Sequence, residues 1–321
     1  MHSILIPDEL QFAIHLMAGC ATITRNVQQK HINTQDKADH SPVTIADYAV
    51  QAFVAQAIQN TYPDDTMVGE EASNLLRQDE ALLEEVTDQV KALLPRSTPD
   101  LVSSWIDHGN GQPKGRYWVL DPVDGTKGFL RRMQYATALA LVEDGEVILG
   151  VLGCPNLPYA GHTGVMAYAY HNQGAWRQSY NQQTEAQSMR VSEIKNLTEF
   201  RILRSFEDSH TDSARIDSFA RQAGVTIDPV RMDSQAKYFL LAAGQAELSM
   251  RLLAPERADY REFIWDQAPG YRVVLEAGGM ITDTDGKPLD FSTGRRLTNN
   301  RGIFATNGQI HEEALKILQQ S

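Results

Sequence analysis

The chain has 321 residues, 42% of them hydrophobic, and a formal net charge of −12. That length and apolar content suffice for a sizeable core, as one large domain or two lobes. So acidic a chain is a poor general binder of nucleic-acid polymers, because neutralising their phosphates takes clustered Lys and Arg, but a metal or a local basic site still lets it hold a small anion.

The N-terminus, MHSILIPDEL, lacks the basic start and long apolar core of a signal peptide. Residues 8–30 carry Leu10, Ala13, Ile14, Met17 and Ala21 at helical spacing. Residues 44–60 do the same with Ala46, Ala49, Val50, Phe53, Ala57 and Ile58. Residues 78–94 form a third expected helix, charged on one face and ended by Pro95. The pattern then changes. YATALALV (135–142) and EVILGVLGC (146–154), joined by Glu143-Asp144-Gly145, read as a β-hairpin. MAYAY (166–170) and AWR (175–177) flank HNQG as a second hairpin.

After residue 189 strands and helices alternate. RILRSF and ELSMRLL read as strands and SARIDSFARQAG as a helix ended by Gly224. DSQAKYFLLAAG reads as a helix begun by Asp233 or Ser234 and ended by Gly244, and WDQAPGYRVVLEAGG as one opened by Asp266. GIFATN is a strand and residues 309–320 a terminal helix. Such alternation suggests α/β layering, here as two fused lobes, 1–188 (α+β) and 189–321 (α/β). No apolar run approaches the ~20 residues that cross a bilayer. Cys20 and Cys154 have neither metal-ligand spacing nor the number for a disulfide framework. A soluble, cytoplasmic protein without membrane partners is expected.

Acidic residues recur at the ends of elements: Asp47 in SPVTIAD, Glu70 and Glu71 in DTMVGEEAS, Asp121 and Asp124 after YWVL, and Asp266 in WDQAPG. Hard divalent cations take oxygen ligands, and Mg²⁺ uses one or two carboxylates together with water and substrate phosphate. Each position also has an ordinary reading. Asp47 completes a box-like cap with Thr44, the Glu pair suits a solvated loop, Asp121 and Asp124 suit a turn, and Asp266 suits an N-cap. What favours chemistry is Asp-Pro-Val-Asp-Gly-Thr after a strand. Its glycine admits close approach, and the Gly125 and Thr126 N–H groups are disposed to meet a phosphate.

In LDPVDGTKGF and WDQAPGYRVVLEAGG the chain resembles the two signatures of the inositol monophosphatase superfamily, and GEE (69–71) and SPVTIAD (41–47) match it in order and spacing. Within it, DGTKGFLR, LGVLGCPNLP, MDSQAKYFLLAAGQAELSMRL and SFEDSH resemble the 3'(2'),5'-bisphosphate nucleotidase branch. The resemblance implies a layered αβαβα sandwich. It also implies up to three Mg²⁺ ions on Glu70, Asp121, Asp124, Asp266 and the Val123 carbonyl, with Asp47 and Thr126 activating water. Gly125 and Thr126 would hold the scissile phosphate, and His210, Ser234, Lys237 and Arg251 the rest of a nucleotide. The implied substrate is adenosine 3',5'-bisphosphate or the related 3'-phosphoadenylyl sulfate, hydrolysed by a monomer that Li⁺ and Na⁺ inhibit. The alternatives are an inositol phosphate phosphatase and a non-catalytic nucleotide sensor. Gln267, Pro269 and Arg132 depart from the histidine, small residue and glycine usual at those places, and none of them is an implied metal ligand.

Overall fold

The computed structural model describes residues 6–31, 45–180, 184–206 and 211–321. His210 and residues 41–44 therefore lie outside the described residues.

Two long helices come first, α1 (Asp8–His31) and α2 (Ile45–Thr61), followed by α3 (Glu80–Lys91) and α4 (Pro99–His108). Asp79 caps α3 and Thr98 caps α4, each accepting from a backbone N–H three residues on. Strands β1 (Thr66–Gly69), β2 (Arg116–Asp124), β3 (Ala136–Glu143), β4 (Glu146–Tyr159), β5 (His162–Tyr170), β6 (Ala175–Ser179) and β7 (Gln187–Met189) form one sheet in chain order. Only β1–β2 is a parallel pair in it; the other neighbours run antiparallel. The Asp144-Gly145 turn has φ of 50° and 84°, the doubly left-handed form that matches strand twist.

The second sheet contains β8 (Ile202–Arg204), β9 (Val230–Arg231), β10 (Leu248–Arg251), β11 (Met280–Thr282) and β12 (Ile303–Thr306), in the order β11-β12-β10-β8-β9. Helices α6 (Ser213–Gln222), α7 (Ala236–Ala242), α8 (Ala268–Glu276) and α9 (His311–Gln320) accompany it.

Three buried clusters show the layering. Residues of α1 and α2 meet one face of the first sheet through Trp118, Leu139 and Val151. Its other face, through Tyr117, Ala138 and Leu152, shares a cluster with α7, α8 and second-sheet residues such as Leu203 and Ala305. Phe304, Leu248 and Ile202 turn the far face of the second sheet to α6 and α9. The order α, β, α, β, α is the expected sandwich. Both faces of the first sheet are covered, which is why β3 reads as an unbroken apolar run.

The structure moves three sequence-based boundaries. Asp121 and Asp124 are not in a turn: β2 runs through both, and an extra residue on β2 forms a bulge between their pairings with Ala138 and Ala136. The bulge accommodates Pro122, which a regular ladder cannot. Helix α7 starts at Ala236, so Asp233 and Ser234 precede it. Helix α8 starts at Ala268 with Gln267 at its cap position, so Asp266 is not an N-cap.

Where the layers press closest, size is limiting. A Cβ on Gly150 of β4 would sit 2.2 Å from the Pro269 carbonyl oxygen on α8. Gly150→Ala should cost roughly 1–3 kcal/mol, the scale of overpacking. A lower urea midpoint at unchanged slope checks it; an unchanged midpoint contradicts this packing.

Candidate active site

The site assembles where elements end. In the parallel β1–β2 pair Gly69 lies opposite Leu120, so the next residues, Glu70 and Asp121, leave the ladder side by side. Asp47 stands in the buried first turn of α2. Asp124 closes β2, Gly125 turns the chain with φ 87°, and Thr126 opens the short helix α5 (Thr126–Leu130). From the second half of the chain, Ser234 precedes α7, Lys237 lies on it, Arg251 ends β10 and Asp266 precedes α8. Asp124, Gly125, Thr126, Ser234, Lys237, Arg251 and Asp266 line one cleft of about 490 Å³. Glu70, Asp121 and Asp47 adjoin it through their charges, each acting on at least one other acid of the group.

Electrostatics bind this acidic group together. Burial pushes the Asp121 carboxyl far above the usual range, and Glu70, Asp124, Asp266 and Asp47 push it further. Burial and then Asp266 raise Asp124 to about 6, against hydrogen bonds from Gln235. Asp266 is likewise raised to about 6 by burial, with Arg251 opposing. Glu71 reaches about 8 through burial and Asp47. Glu70 is raised by desolvation, then by Asp266, Asp47 and Glu71. Its residue surface is nonetheless open, so desolvation weighs less on it than on the enclosed Asp121.

The donor set consists of hard oxygens. Asp121 acts on both Glu70 and Asp266, and each of the three carboxyls is pushed up from its usual range. Asp121 Oδ1 is buried without a hydrogen-bond partner. Among the described residues no three acidic, His or Cys side chains already converge on a cation position. Crowded acids and one buried carboxylate oxygen without a partner make a hard-oxygen donor set. This chemistry fits divalent cations, whose charge would offset the crowding. The Val123 carbonyl, in the bulge, accepts a 3.3 Å hydrogen bond from the Thr126 hydroxyl.

The same cleft carries basic residues among the acids. Burial lowers the Lys237 ammonium, Asp124 counteracts this, and its Nζ donates to Ser205 Oγ at 2.8 Å. Arg251 pairs with buried Glu262 at 2.8 Å, although Nε is not aimed for a hydrogen bond, and Nη2 reaches the Tyr260 hydroxyl at 3.4 Å. Burial works against the Arg251 charge, but Glu262 and Asp266 outweigh it and leave the guanidinium pKa raised.

Several supporting residues escaped the sequence reading. Gln51, fully buried on α2, donates to the Glu71 carbonyl at 2.6 Å and accepts from the Glu71 N–H at 3.0 Å. It stands one turn after Asp47, on the same helix face, and that spacing was the available signal. Gln235 donates its backbone N–H to Asp124 at 2.6 Å, and its side chain joins the Trp265 carbonyl to the Gly270 N–H. The Gln267 side-chain oxygen accepts from the Tyr238 hydroxyl at 2.5 Å. These ties, like the Arg251–Glu262 pair, join segments too far apart in sequence for any local pattern to show them.

The inositol monophosphatase family model matches residues 8–321. A 3'(2'),5'-bisphosphate nucleotidase of Schizosaccharomyces pombe is 35% identical over 96% of this chain and 94% of its own. One from Oryza sativa is 41% identical over 94% and 90%. The solved Thermotoga maritima IMPase superposes with a TM-score of 0.67 at 23% identity, covering 98% of both chains. At that identity the likeness speaks for the fold.

A carboxyl whose pKa is higher folded than unfolded stabilises the fold below its unfolded pKa. That contribution is lost as pH rises through the folded value. His311, lowered to about 4 by burial, has its opposite slope below the ordinary histidine value of 6.5. In chelator, the melting temperature should therefore fall from pH 6.5 to ~9 as Glu71 ionises near 8. Glu71→Gln should flatten that fall, and thermal melts across the window measure it; an unaltered slope in the variant excludes Glu71 as its source.

Proposed function

This chain belongs to the inositol monophosphatase family, and on that premise we propose that it hydrolyses the 3'-phosphate of adenosine 3',5'-bisphosphate, giving AMP and phosphate. The nucleotidase relatives, matched over nearly the full chain, support the reaction. The observation that carries the substrate is the composition of one cleft, where crowded carboxylates and the cations Lys237 and Arg251 line the same space. 3'-Phosphoadenylyl sulfate, with anions at the same two ends, is a second candidate substrate.

Glu70, Asp121, Asp124, Asp266 and the Val123 carbonyl would hold up to three Mg²⁺ ions. When bound, these offset phosphate charge and make a nucleophilic water available near neutral pH. The remaining chemistry belongs to the chain. Asp47 accepts the water's proton, and Thr126, anchored on the Val123 carbonyl, orients the water. Gly125 lacks a side chain because Ser234 Cβ lies 2.8 Å from where its Cβ would be, which leaves its N–H bare towards the scissile phosphate. Ser234, Lys237, Arg251 and His210 receive the rest of the nucleotide. Residues 1–188 supply most metal ligands and 189–321 most nucleotide contacts. Both cysteines are buried and free, which suits a reducing compartment such as the cytoplasm. None of the described helices is long and apolar enough to cross a membrane.

Asp124→Asn preserves an acceptor for the Gln235 N–H and removes the charge. Phosphate release from adenosine 3',5'-bisphosphate should fall roughly 100-fold or more, the scale at which one lost electrostatic stabiliser shows. Normal turnover in a Mg²⁺-supplied phosphate-release assay rejects the assignment. Arg251→Ala, made with Glu262→Gln so that no buried carboxylate is stranded, should raise KM for the bisphosphate roughly tenfold, one charge-assisted hydrogen bond. A monophosphate substrate should respond less, and equal effects on both reject Arg251 as the second-phosphate contact.

A further inference from the structure

One side chain joins the backbone beside Glu70 to the indole of the residue beside Asp266. Arg295 Nη2 donates to the Gly69 carbonyl at 2.6 Å, one residue before Glu70. Its guanidinium lies 4.8 Å from the ring centre of Trp265, one residue before Asp266. Trp265 stacks on Phe263 with centroids 4.3 Å apart and planes 14° from parallel, and Arg296 covers the outer face of Phe263 at 3.6 Å. Two cations thus cap a two-ring stack. The backbone repeats the tie: Phe263 and Arg296 form an isolated bridge, Ile264 N–H donates to the Arg295 carbonyl, and Leu297 N–H to that of Glu262.

Three features separate this from an ordinary surface arginine. Arg295 is half-buried, and burial lowers its guanidinium pKa. It forms no ion pair among the described residues; its partners are a carbonyl and an indole face. It therefore fixes backbone while leaving the carboxylates their charge. The strand end it holds is pinned from the other side as well, because Gln51 Oε1 lies 2.4 Å from where a Gly69 Cβ would be and binds the Glu71 backbone.

We propose that Arg295 is a positioning residue that sets the spacing between Glu70 and Asp266, and through it the affinity of the site for divalent cations rather than for nucleotide. The inference rests on the proposed cation-holding role of those two acids. Residues that orient ligands in this indirect way typically change metal affinity by about 10–100-fold when altered. Lysine keeps the charge but loses the planar face and the fork of donors, so it is the informative replacement.

The test is the rise in melting temperature with added Mg²⁺, at constant ionic strength and without substrate, in the wild type, Arg295→Lys and Phe263→Leu. Binding to the folded state raises the melting temperature, so the curve reports affinity apart from turnover. The half-saturating Mg²⁺ concentration should rise roughly tenfold in Arg295→Lys. It should rise less in Phe263→Leu, which loosens the stack but spares the Gly69 bond. KM for adenosine 3',5'-bisphosphate at saturating Mg²⁺ should stay within about twofold in both. A wild type that ignores Mg²⁺ overturns the cation reading and the inference with it. A responsive wild type matched by Arg295→Lys overturns the inference alone, as does a KM that rises in step with the Mg²⁺ requirement. Should the lysine variant not fold, Phe263→Leu decides by the same criteria.

Discussion

Crowded carboxylates set the terms for this structure. Glu70, Glu71, Asp121, Asp124 and Asp266, all with raised pKa values, come together from separate parts of the chain, with Asp47 among them. Burying like charges together is unfavourable, and each raised pKa expresses that cost. The acids stay together because each is carried on backbone held by something else. The parallel β1–β2 ladder sets Glu70 beside Asp121, Gln51 holds the Glu71 backbone, and Gln235 docks on Asp124.

The two halves of the chain meet through these supports. Gln235 alone touches Asp124, the Trp265 carbonyl and the Gly270 N–H, so one residue ties the end of β2 to the start of α8. Gly125 against Ser234 and Gly150 against Pro269 mark where backbones approach too closely for a side chain. Ser234 itself has φ 67°, a left-handed conformation rarely taken outside glycine. The strained residue faces the cleft, and its own hydroxyl accepts from Ala236 N–H to steady the turn.

Much of this was legible in sequence, and the misses share a cause. Helices α1 and α2 and the two hairpins follow their periodicity because one structural rule governs each. The candidate ligands were found as acids at the ends of elements. Beta strand β2 was cut short because Pro122 and Gly125 resemble turn punctuation, while a bulge let the strand continue past the proline. Helix α4 was passed over although Thr98 and Pro99 carry its start signal. Arg132 stands where the resemblance leads one to expect glycine, and its φ of 57° keeps the glycine-like backbone despite the side chain. Gln235 and Arg295 act across long separations, and there the sequence has no period to reveal.

The cations Lys237 and Arg251 separate the competing readings. Lys237 is held by Ser205, and Arg251 is sandwiched between Glu262 and Tyr260, so neither is a freely solvated surface charge. Holding cations partly away from water is costly unless something pairs with them. Glu262 pairs with Arg251 directly, whereas Lys237 donates to a neutral hydroxyl and feels the charges of Asp124, Asp233 and Glu262 without an ion pair. On the proposed reading, an inositol monophosphate would place its one phosphate at the carboxylates, and a 3',5'-bisphosphate would bring a second anion to the cations. A passive sensor would need the cations, but it would gain nothing from burying so many acids at the cost their raised pKa values express. The coexistence of both kinds of residue in one cleft therefore favours hydrolysis of a substrate charged at both ends.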